Sequence, residues 1–428
     1  MSDSQKFSTL AVHAGAQSDP TTGAAVTPIY QTASYEFESP EQAAALFNLQ
    51  EFGNIYSRLT NPTVGVLENR VAALEGGAAA LAVASGHAAQ LITFHTLMEP
   101  GDEILASTKL YGGSITQLSQ SFRKFGWGAN FVDPDPAAMK AAITPNTKAI
   151  FMESLANPGG VVTDIAAIAE VAHEAGIVLV VDNTLATPYL CRPIEHGADI
   201  VVHSLTKFLG GQGNSVGGVI VDSGRFDWMK SGKYSTLSEP SESYHGMVFG
   251  EVFGEAMGNI AFAIACRAVG LRDLGPALSP MNAFLILNGI ETLPLRMQRH
   301  ADNALEVAKF LQAHDQVEWV SYAGLEDSPY YDLKQKYLPK GAGAVMTFGV
   351  KGGYDAGKKV VANVKLFKHL ANIGDTRSLI IHPSSTTHRQ LAEADQVKAG
   401  AGPDVVRLSI GIEDVEDIKA DLDQALNS

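Results

Sequence analysis

The chain has 428 residues, 46% of them hydrophobic and 18% charged, enough apolar side chain for two or three domains with a large buried core, and this excludes extended disorder. A net charge of −15 argues against nucleic acid or an anionic membrane surface as a main partner. No apolar run reaches membrane-spanning length, the opening MSDSQKFS has no basic or apolar leader region, and two distant cysteines, Cys191 and Cys266, suit buried thiols in a reducing cytoplasm.

Residues 1–62 are punctuated by Gly, Pro, Ser and Thr and read as an irregular N-terminal arm, of the kind that packs on another subunit. At its end Tyr56-Ser57-Arg58 sets a phenol and a guanidinium on one face of an extended chain. The pair reads either as a phosphate clamp or as an exposed loop. From Thr63, the spacing of Val64, Leu67, Val71 and Leu74 predicts a helix stopped by Gly76-Gly77. Ala79 to Ala84 reads as a small-residue strand, then Ser85-Gly86-His87 opens an apolar helix through Met98. Strand, Ser-Gly, helix start is either a plain turn or an anion site, because the first N–H groups of a helix lack partners.

Asp102 to Ser107 is the next predicted strand, and Tyr111-Gly112-Gly113 follows where a ligand crevice forms in α/β sheets, with a ring able to stack on another ring. Lys148 to Glu153 is a strand; Asn157, before Pro158, is either a ring-substituent donor or a turn former. A helix capped by Asp164 and stopped by Gly176 leads to the apolar strand Ile177 to Val181, which Asp182-Asn183-Thr184 ends. A carboxylate in that position is near-buried and needs a cationic or hydrogen-bonding partner, such as a pyridinium N–H.

Ile200-Val201-Val202 and Val219-Ile220-Val221 are two more strands, and Lys207 lies between them, framed by Ser204 and Thr206 and followed by Gly210, Gly211, Gly213, Gly217 and Gly218. Desolvation lowers the pKa of such a lysine and makes it a nucleophile able to form a Schiff base with an aldehyde cofactor. The two hydroxyls and the glycine turn suit a phosphate. Taken alone, Ser-x-Thr-Lys reads as a surface lysine in a glycine loop, and Gly211-x-Gly213 as a weak nucleotide loop with no helix after it. The candidates gain weight together, all just after strands on one edge of a mostly parallel sheet.

Residues 223–280 show no clear period, though 239–254 is rich in aromatics. Residues 281–313 read as a long helical connector. Beyond it, apolar runs at 318–322, 344–350, 378–382 and 405–412, with helices at 355–371 and 415–426, describe a smaller α/β unit. Arg407 sits inside one of these runs, either in an internal salt bridge or holding a substrate carboxylate with its fork. His382, His388 and Arg389 surround a Pro-Ser-Ser-Thr-Thr loop and read as structural.

As a set, these residues resemble the Cys/Met-metabolism family of pyridoxal-phosphate enzymes, from about Ala11 to the C-terminus. The resemblance implies an aminotransferase-like α/β fold (fold type I): an arm at 1–62, a large cofactor domain with a mostly parallel sheet at 63–295 and a smaller C-terminal α/β domain at 296–428. It implies that Lys207 carries pyridoxal 5'-phosphate and is catalytic with Asp182 and Tyr111. Asp182 pairs with the ring nitrogen, Tyr111 stacks on the ring, and Asn157 and Thr184 help to hold it. Ser85, Gly86, His87, Ser204 and Thr206 bind the phosphate, joined by Tyr56 and Arg58 from a neighbouring subunit, so that the unit is a dimer within a homotetramer. Arg407, with Ser378, Asn157 and Tyr56, takes the substrate.

Within the family, Ser85-Gly86-His87-Ala88-Ala89, Asp182 to Tyr189 and the stretch at 234–254 resemble members that act on O-acetylhomoserine with sulfide or a small thiol. Arg377 stands where cystathionine lyases carry glutamate, and Gly113 where methionine lyases carry cysteine. Synthases, O-succinylhomoserine-specific members and γ-lyases are the alternatives, and a non-catalytic nucleotide-binding module is the alternative of another class.

Overall fold

The computed structural model describes residues 5–157, 160–387, 389–390, 392, 396–397 and 400–428. The apolar runs fall in two blocks, and each block makes its own sheet. The first contains β1 (Ala79–Val83), β2 (Glu103–Ser107), β3 (Gly128–Val132), β4 (Thr147–Glu153), β5 (Val178–Asp182), β6 (Ile200–Ser204) and β7 (Gly218–Asp222), in the order β1-β7-β6-β5-β4-β2-β3. Strand β7 runs antiparallel to β1 and β6, and the other pairs are parallel. Helices cover both faces, so the central strands are apolar throughout rather than alternating. The polar exceptions stand at strand ends: Glu153, Asp182 and Ser204 finish β4, β5 and β6.

The predicted helix from Thr63 spans Pro62–Glu75. Asn61 caps it by accepting the Thr63 N–H at 3.0 Å, and Gly76 ends it in the left-handed region at φ 76°. Helix Gly86–Leu97 packs on the sheet, and Ile165–Glu174 starts on Asp164, which accepts the Ala167 N–H at 3.4 Å. The long connector is two helices, Pro280–Glu291 and Leu293–Gln312. The second sheet holds β8 (Val317–Ser321), β9 (Val345–Val350), β10 (Lys368–His369), β11 (Leu379–Ile381) and β12 (Val405–Ser409), in the order β10-β11-β12-β9-β8. Among the described residues no helix is long and apolar enough to cross a membrane.

Three expectations change. The arm is not wholly irregular: Phe7–His13 and Pro40–Phe47 are helices, the second capped by Ser39, whose hydroxyl accepts the Gln42 N–H at 3.1 Å. Seven or eight residues are too few for a periodic signal. Strand β3, GANFV, was not expected; it is a half-buried edge strand of mixed polarity. The helix expected to reach residue 371 stops at Asn363, because the carboxylate of Asp421 accepts the N–H groups of Lys365, Leu366 and Phe367 at 2.8, 2.8 and 3.2 Å and turns the chain out toward β10.

The aromatic-rich stretch is core rather than surface. Tyr234, Leu237, Tyr244, Phe249 and Phe253 pack with Phe94, Trp228 and Phe262 against one face of the large sheet. The Tyr234 hydroxyl accepts the Val178 N–H at 3.0 Å and donates to the Lys148 carbonyl at 2.8 Å, tying the stretch to β4 and β5. Tyr234→Phe leaves a buried N–H and a carbonyl unpaired and is expected to cost about 1–3 kcal/mol, measured by denaturant unfolding against the unaltered protein.

Candidate active site

A cavity of about 240 Å³ opens at the carboxyl ends of β1, β4, β5 and β6, and Asn372 and Arg407 approach it from the second sheet. Its lining brings together Ser85, Gly86, His87, Tyr111, Asn157, Asp182, Thr184, Ser204, Thr206, Lys207 and Arg407. These residues come from separate stretches of chain, and the parallel sheet sets their strand ends side by side.

At one end three backbones are drawn together. A Cβ on Gly86 would lie 2.9 Å from that of Ser204, and one on Gly218 would lie 2.0 Å from the Ser85 carbonyl oxygen, so only glycine permits this approach. Ser85 caps the following helix by accepting the Ala88 N–H at 3.1 Å. The N–H groups of Gly86 and His87, in the first turn, have no helical carbonyl to bond and suit an anion. The Thr184 hydroxyl accepts the Ser204 N–H at 2.8 Å, while the Thr206 hydroxyl exchanges bonds with Gly217 at 3.1 and 3.3 Å.

Lys207 follows β6 in a turn whose Leu205 and Phe208 are buried in the core, which leaves Thr206 and Lys207 on the cavity. Burial, with Arg407 nearby, lowers the Lys207 ammonium to about 8. Its Nζ donates to the Asn372 side-chain oxygen. Gly374 makes this reach possible by packing on the lysine turn, where a Cβ would come within 2.6 Å of the Phe208 nitrogen. Asp182 accepts the Thr184 N–H at 2.9 Å, and burial raises its pKa. Glu153, its neighbour across β4 and β5, accepts the N–H groups of Tyr111 at 2.5 Å and Asn157 at 3.0 Å.

Arg407 lies on β12, opposite Thr347 and Ile381. Among the described residues no carboxylate pairs with it, and its guanidinium donates to the Asn372 carbonyl at 3.5 Å. The internal salt bridge left open by the sequence is therefore absent among them, and the guanidinium is free to take an anion.

Three expected residues lie off this lining. Ser378 is buried elsewhere; its hydroxyl donates to Glu413 at 3.0 Å and accepts the Gly411 N–H at 2.9 Å. Tyr56 is 43% exposed, and Arg58, whose guanidinium lies 5.5 Å from the Tyr56 ring centroid, donates to the Arg272 carbonyl. The glycine loop is no nucleotide cradle: side chains of Arg296 and Asp375 already occupy the space beside Gly211 and Gly213. His382 is structural, its ring nitrogens bonding Pro403 at 2.7 Å and Ser385 at 2.9 Å, and His388 lies outside the described residues. The sequence reading missed Glu153 and Asn372. Glu153 left a signal, an acid ending an apolar strand as Asp182 does. Asn372 left none, standing 165 residues from the lysine it touches.

The lining fits a flat ring with a protonated nitrogen, an aldehyde carbon and a phosphate. Among the described residues the side-chain oxygens of Asn157 and Gln90 are buried without partners, and a bound polar group satisfies such atoms. The buried Asp182 has no ion-pair partner among the described residues, which suits a ring N–H⁺. Lys207 is a basic amine beside it, and the glycine-drawn cradle suits the phosphate.

Two buried acids make one contribution to the pH dependence of the cofactor-free protein. Burial and Asp182 push Glu153 up to about 8, and burial pushes Asp222 up to about 7. Between about pH 4, where carboxyls titrate in an unfolded chain, and pH 8 the folded state holds protons that the unfolded state releases. Stability from these groups therefore falls as pH rises through that window. Thermal unfolding of the cofactor-free protein should show this decline, and Asp182→Asn, which removes the neighbouring charge, should flatten it.

The family model for Cys/Met metabolism PLP-dependent enzymes matches residues 8–427. The chain is 53% identical to an O-acetyl-L-homoserine sulfhydrylase of Leptospira meyeri, over 99% of this chain and 97% of the relative. It is 49% identical to O-acetyl-L-homoserine sulfhydrylase 1 of Thermus thermophilus (98% and 100% covered) and 49% identical to a homocysteine synthase of Schizosaccharomyces pombe (99% and 99%). A Campylobacter jejuni crystal structure, described as an O-acetylhomoserine (thiol)-lyase and holding N'-pyridoxyl-lysine-5'-monophosphate, superposes with a TM-score of 0.95 at 42% identity, covering 99% of this chain and all of that one. With the fold, the lysine cavity and these matches in agreement, the chain belongs to the Cys/Met metabolism family of PLP-dependent enzymes.

Proposed function

We propose that the chain is a pyridoxal-phosphate-dependent γ-replacement transferase of methionine biosynthesis. It converts O-acetyl-L-homoserine and hydrogen sulfide into L-homocysteine and acetic acid, and with methanethiol it makes methionine. The observation that carries this reading is one cavity holding a lysine whose ammonium is lowered to about 8 and, among the described residues, a buried carboxyl without an ion-pair partner and an arginine without a carboxylate partner. The relatives named for this chemistry match over nearly the whole chain.

Lys207 would hold the cofactor, Asp182 its ring nitrogen, Tyr111 and Asn157 its ring, and Ser85, Gly86, His87, Ser204 and Thr206 its phosphate. Bound there, pyridoxal phosphate supplies an electron sink for charge that develops at the substrate α-carbon. The residues around it do the rest. Arg407 grips the substrate carboxylate bidentately and so fixes which bond at the α-carbon faces Lys207. With its ammonium lowered to about 8, Lys207 has an appreciable neutral fraction near neutral pH and takes the α-proton at Nζ. The same amine reaches the β-carbon next along the substrate and carries the proton that must leave there and return. Asp182 keeps its proton partner charged by staying ionised. At the γ-carbon the C–O bond to acetate breaks and the C–S bond forms. Leu155, Leu185 and Ile373 on the lining limit competing water.

Tyr56 and Arg58 would complete the phosphate site of a second subunit, in a homotetramer built as a dimer of dimers. The exposed Val26, Phe47 and Phe52 of the same arm support such a contact. A division into the arm at 1–62, a large domain at 63–295 and a small one at 296–428 follows the two sheets, with helix Leu293–Gln312 crossing from one unit to the other. A cytoplasmic location accords with two free, buried cysteines.

Purified protein given O-acetylhomoserine should make homocysteine only when sulfide is present; α-keto acid and ammonia without sulfide would indicate a lyase instead. Lys207→Ala should abolish both turnover and the borohydride-reducible chromophore, and an active Lys207→Ala protein would sink the mechanism. For the shared site, mixing subunits of Lys207→Ala with subunits of Arg58→Ala should restore activity that neither has alone, since one site of each hybrid dimer is then intact; no recovery after verified subunit exchange counts against it.

A further inference from the structure

Glu153 has no part in the roles above, yet it is a second anchored acid at the cavity, held by two backbone N–H groups from separate loops. Parallel pairing sets it beside Asp182 at the ends of β4 and β5, and both side chains line the space. It is 4% exposed. One oxygen accepts the Tyr111 N–H at 2.5 Å and the other the Asn157 N–H at 3.0 Å. A single carboxylate thus ties the loop after β2 to the turn after β4, and each of those segments brings one group to the cavity, a phenol ring and an amide. Tyr111 is half exposed and its ring lies 6.1 Å from the tilted His87 ring between centroids, so its N–H bond to Glu153 is one of the contacts that place it.

The charges around Glu153 are unequal. Asp182 stands beside it on β5, and Lys207 from the turn after β6 and Arg407 from β12 line the same cavity, with His87 and Tyr111 as the other titratable groups on the lining. Two N–H donors favour its ionised form, while burial and Asp182 oppose it. A protonated ring nitrogen set against Asp182 relieves that opposition, and both acids can then be charged around one cation.

We propose that Glu153 is a positioning residue for the reaction: it fixes Tyr111 and Asn157 against the cofactor ring, and its negative charge, next to that of Asp182, helps to keep the ring nitrogen protonated. This rests on the pyridoxal-phosphate reading above. Asp182 would touch the ring, and Glu153 would act through its neighbours and its field. A merely structural Glu153 would hold two turns and do nothing to the cofactor.

Two substitutions separate charge from reach. Glu153→Gln keeps the shape and removes the charge; Glu153→Asp keeps the charge and withdraws the carboxylate by one methylene. The readouts are the pH midpoint of the Lys207-bound chromophore and the affinity of cofactor-free protein for pyridoxal phosphate, with circular dichroism confirming the fold. Loss of a nearby negative charge makes a cation easier to deprotonate, so Glu153→Gln should move the midpoint down by about half a pH unit or more and weaken cofactor binding by about tenfold. Its kcat should fall more than its KM rises. Glu153→Asp should keep the midpoint and lose affinity. The proposal is overturned if folded Glu153→Gln keeps both midpoint and affinity, or if Glu153→Asp moves the midpoint as far as Glu153→Gln does. Should Glu153→Gln fail to fold, Glu153→Asp decides: an unmoved midpoint with weaker binding supports the proposal and a shifted one defeats it. An unaltered protein with no chromophore would refute the cofactor reading itself, a different result from any of these.

Discussion

Asp182 is a buried carboxyl that the fold leaves without an ion-pair partner among the described residues, and burial raises its pKa. It ends a fully buried strand, receives a backbone N–H and a hydroxyl from Thr184, and stands beside a second buried acid. A buried carboxylate in that state costs stability unless a cation arrives. Lys207 lines the same cavity but is turned toward Asn372, and Arg407 lies on the other sheet. Each of these groups is held in place by the fold, and a ligand with a cationic ring and two anionic groups satisfies them together.

Close backbone approach is the second constraint. One end of the cavity is a place where the backbones after β1, at the end of β6 and at the start of β7 come nearer than side chains permit, at Gly86 and Gly218. The lysine turn is brought under the second sheet's loop in the same way, at Gly374. These contacts tie the small sheet to the cavity: the loop after β10 lies directly on the lysine backbone and brings Asn372 to Lys207, while Arg407 approaches from β12. The stretch at 234–254 serves the site from behind, by filling the core against the sheet that carries Asp182.

Much of the large sheet was legible because its strands are apolar runs bounded by glycine and polar residues, and because helices of a dozen residues leave a period. What escaped was short or polar: the two arm helices and β3 carry too few apolar positions to show a pattern. The 234–254 stretch escaped for another reason. Its aromatics bury themselves through short helical turns and not through one continuous element, so composition exposed it while periodicity did not.

By itself the sequence determined which residues could do chemistry: a lysine between hydroxyls, an aspartate ending an apolar strand, a glycine before a helix and an arginine inside a strand, because each is an expensive residue for its local setting. The tertiary structure decided which of them meet. It set Arg407 without a salt bridge among the described residues, seated Ser378 against Glu413 instead of the cavity, and introduced Asn372 and Glu153. Those outcomes depend on how strands separated by a hundred residues or more are ordered and registered. Register is settled by packing across the whole sheet, and no local stretch of chain carries it.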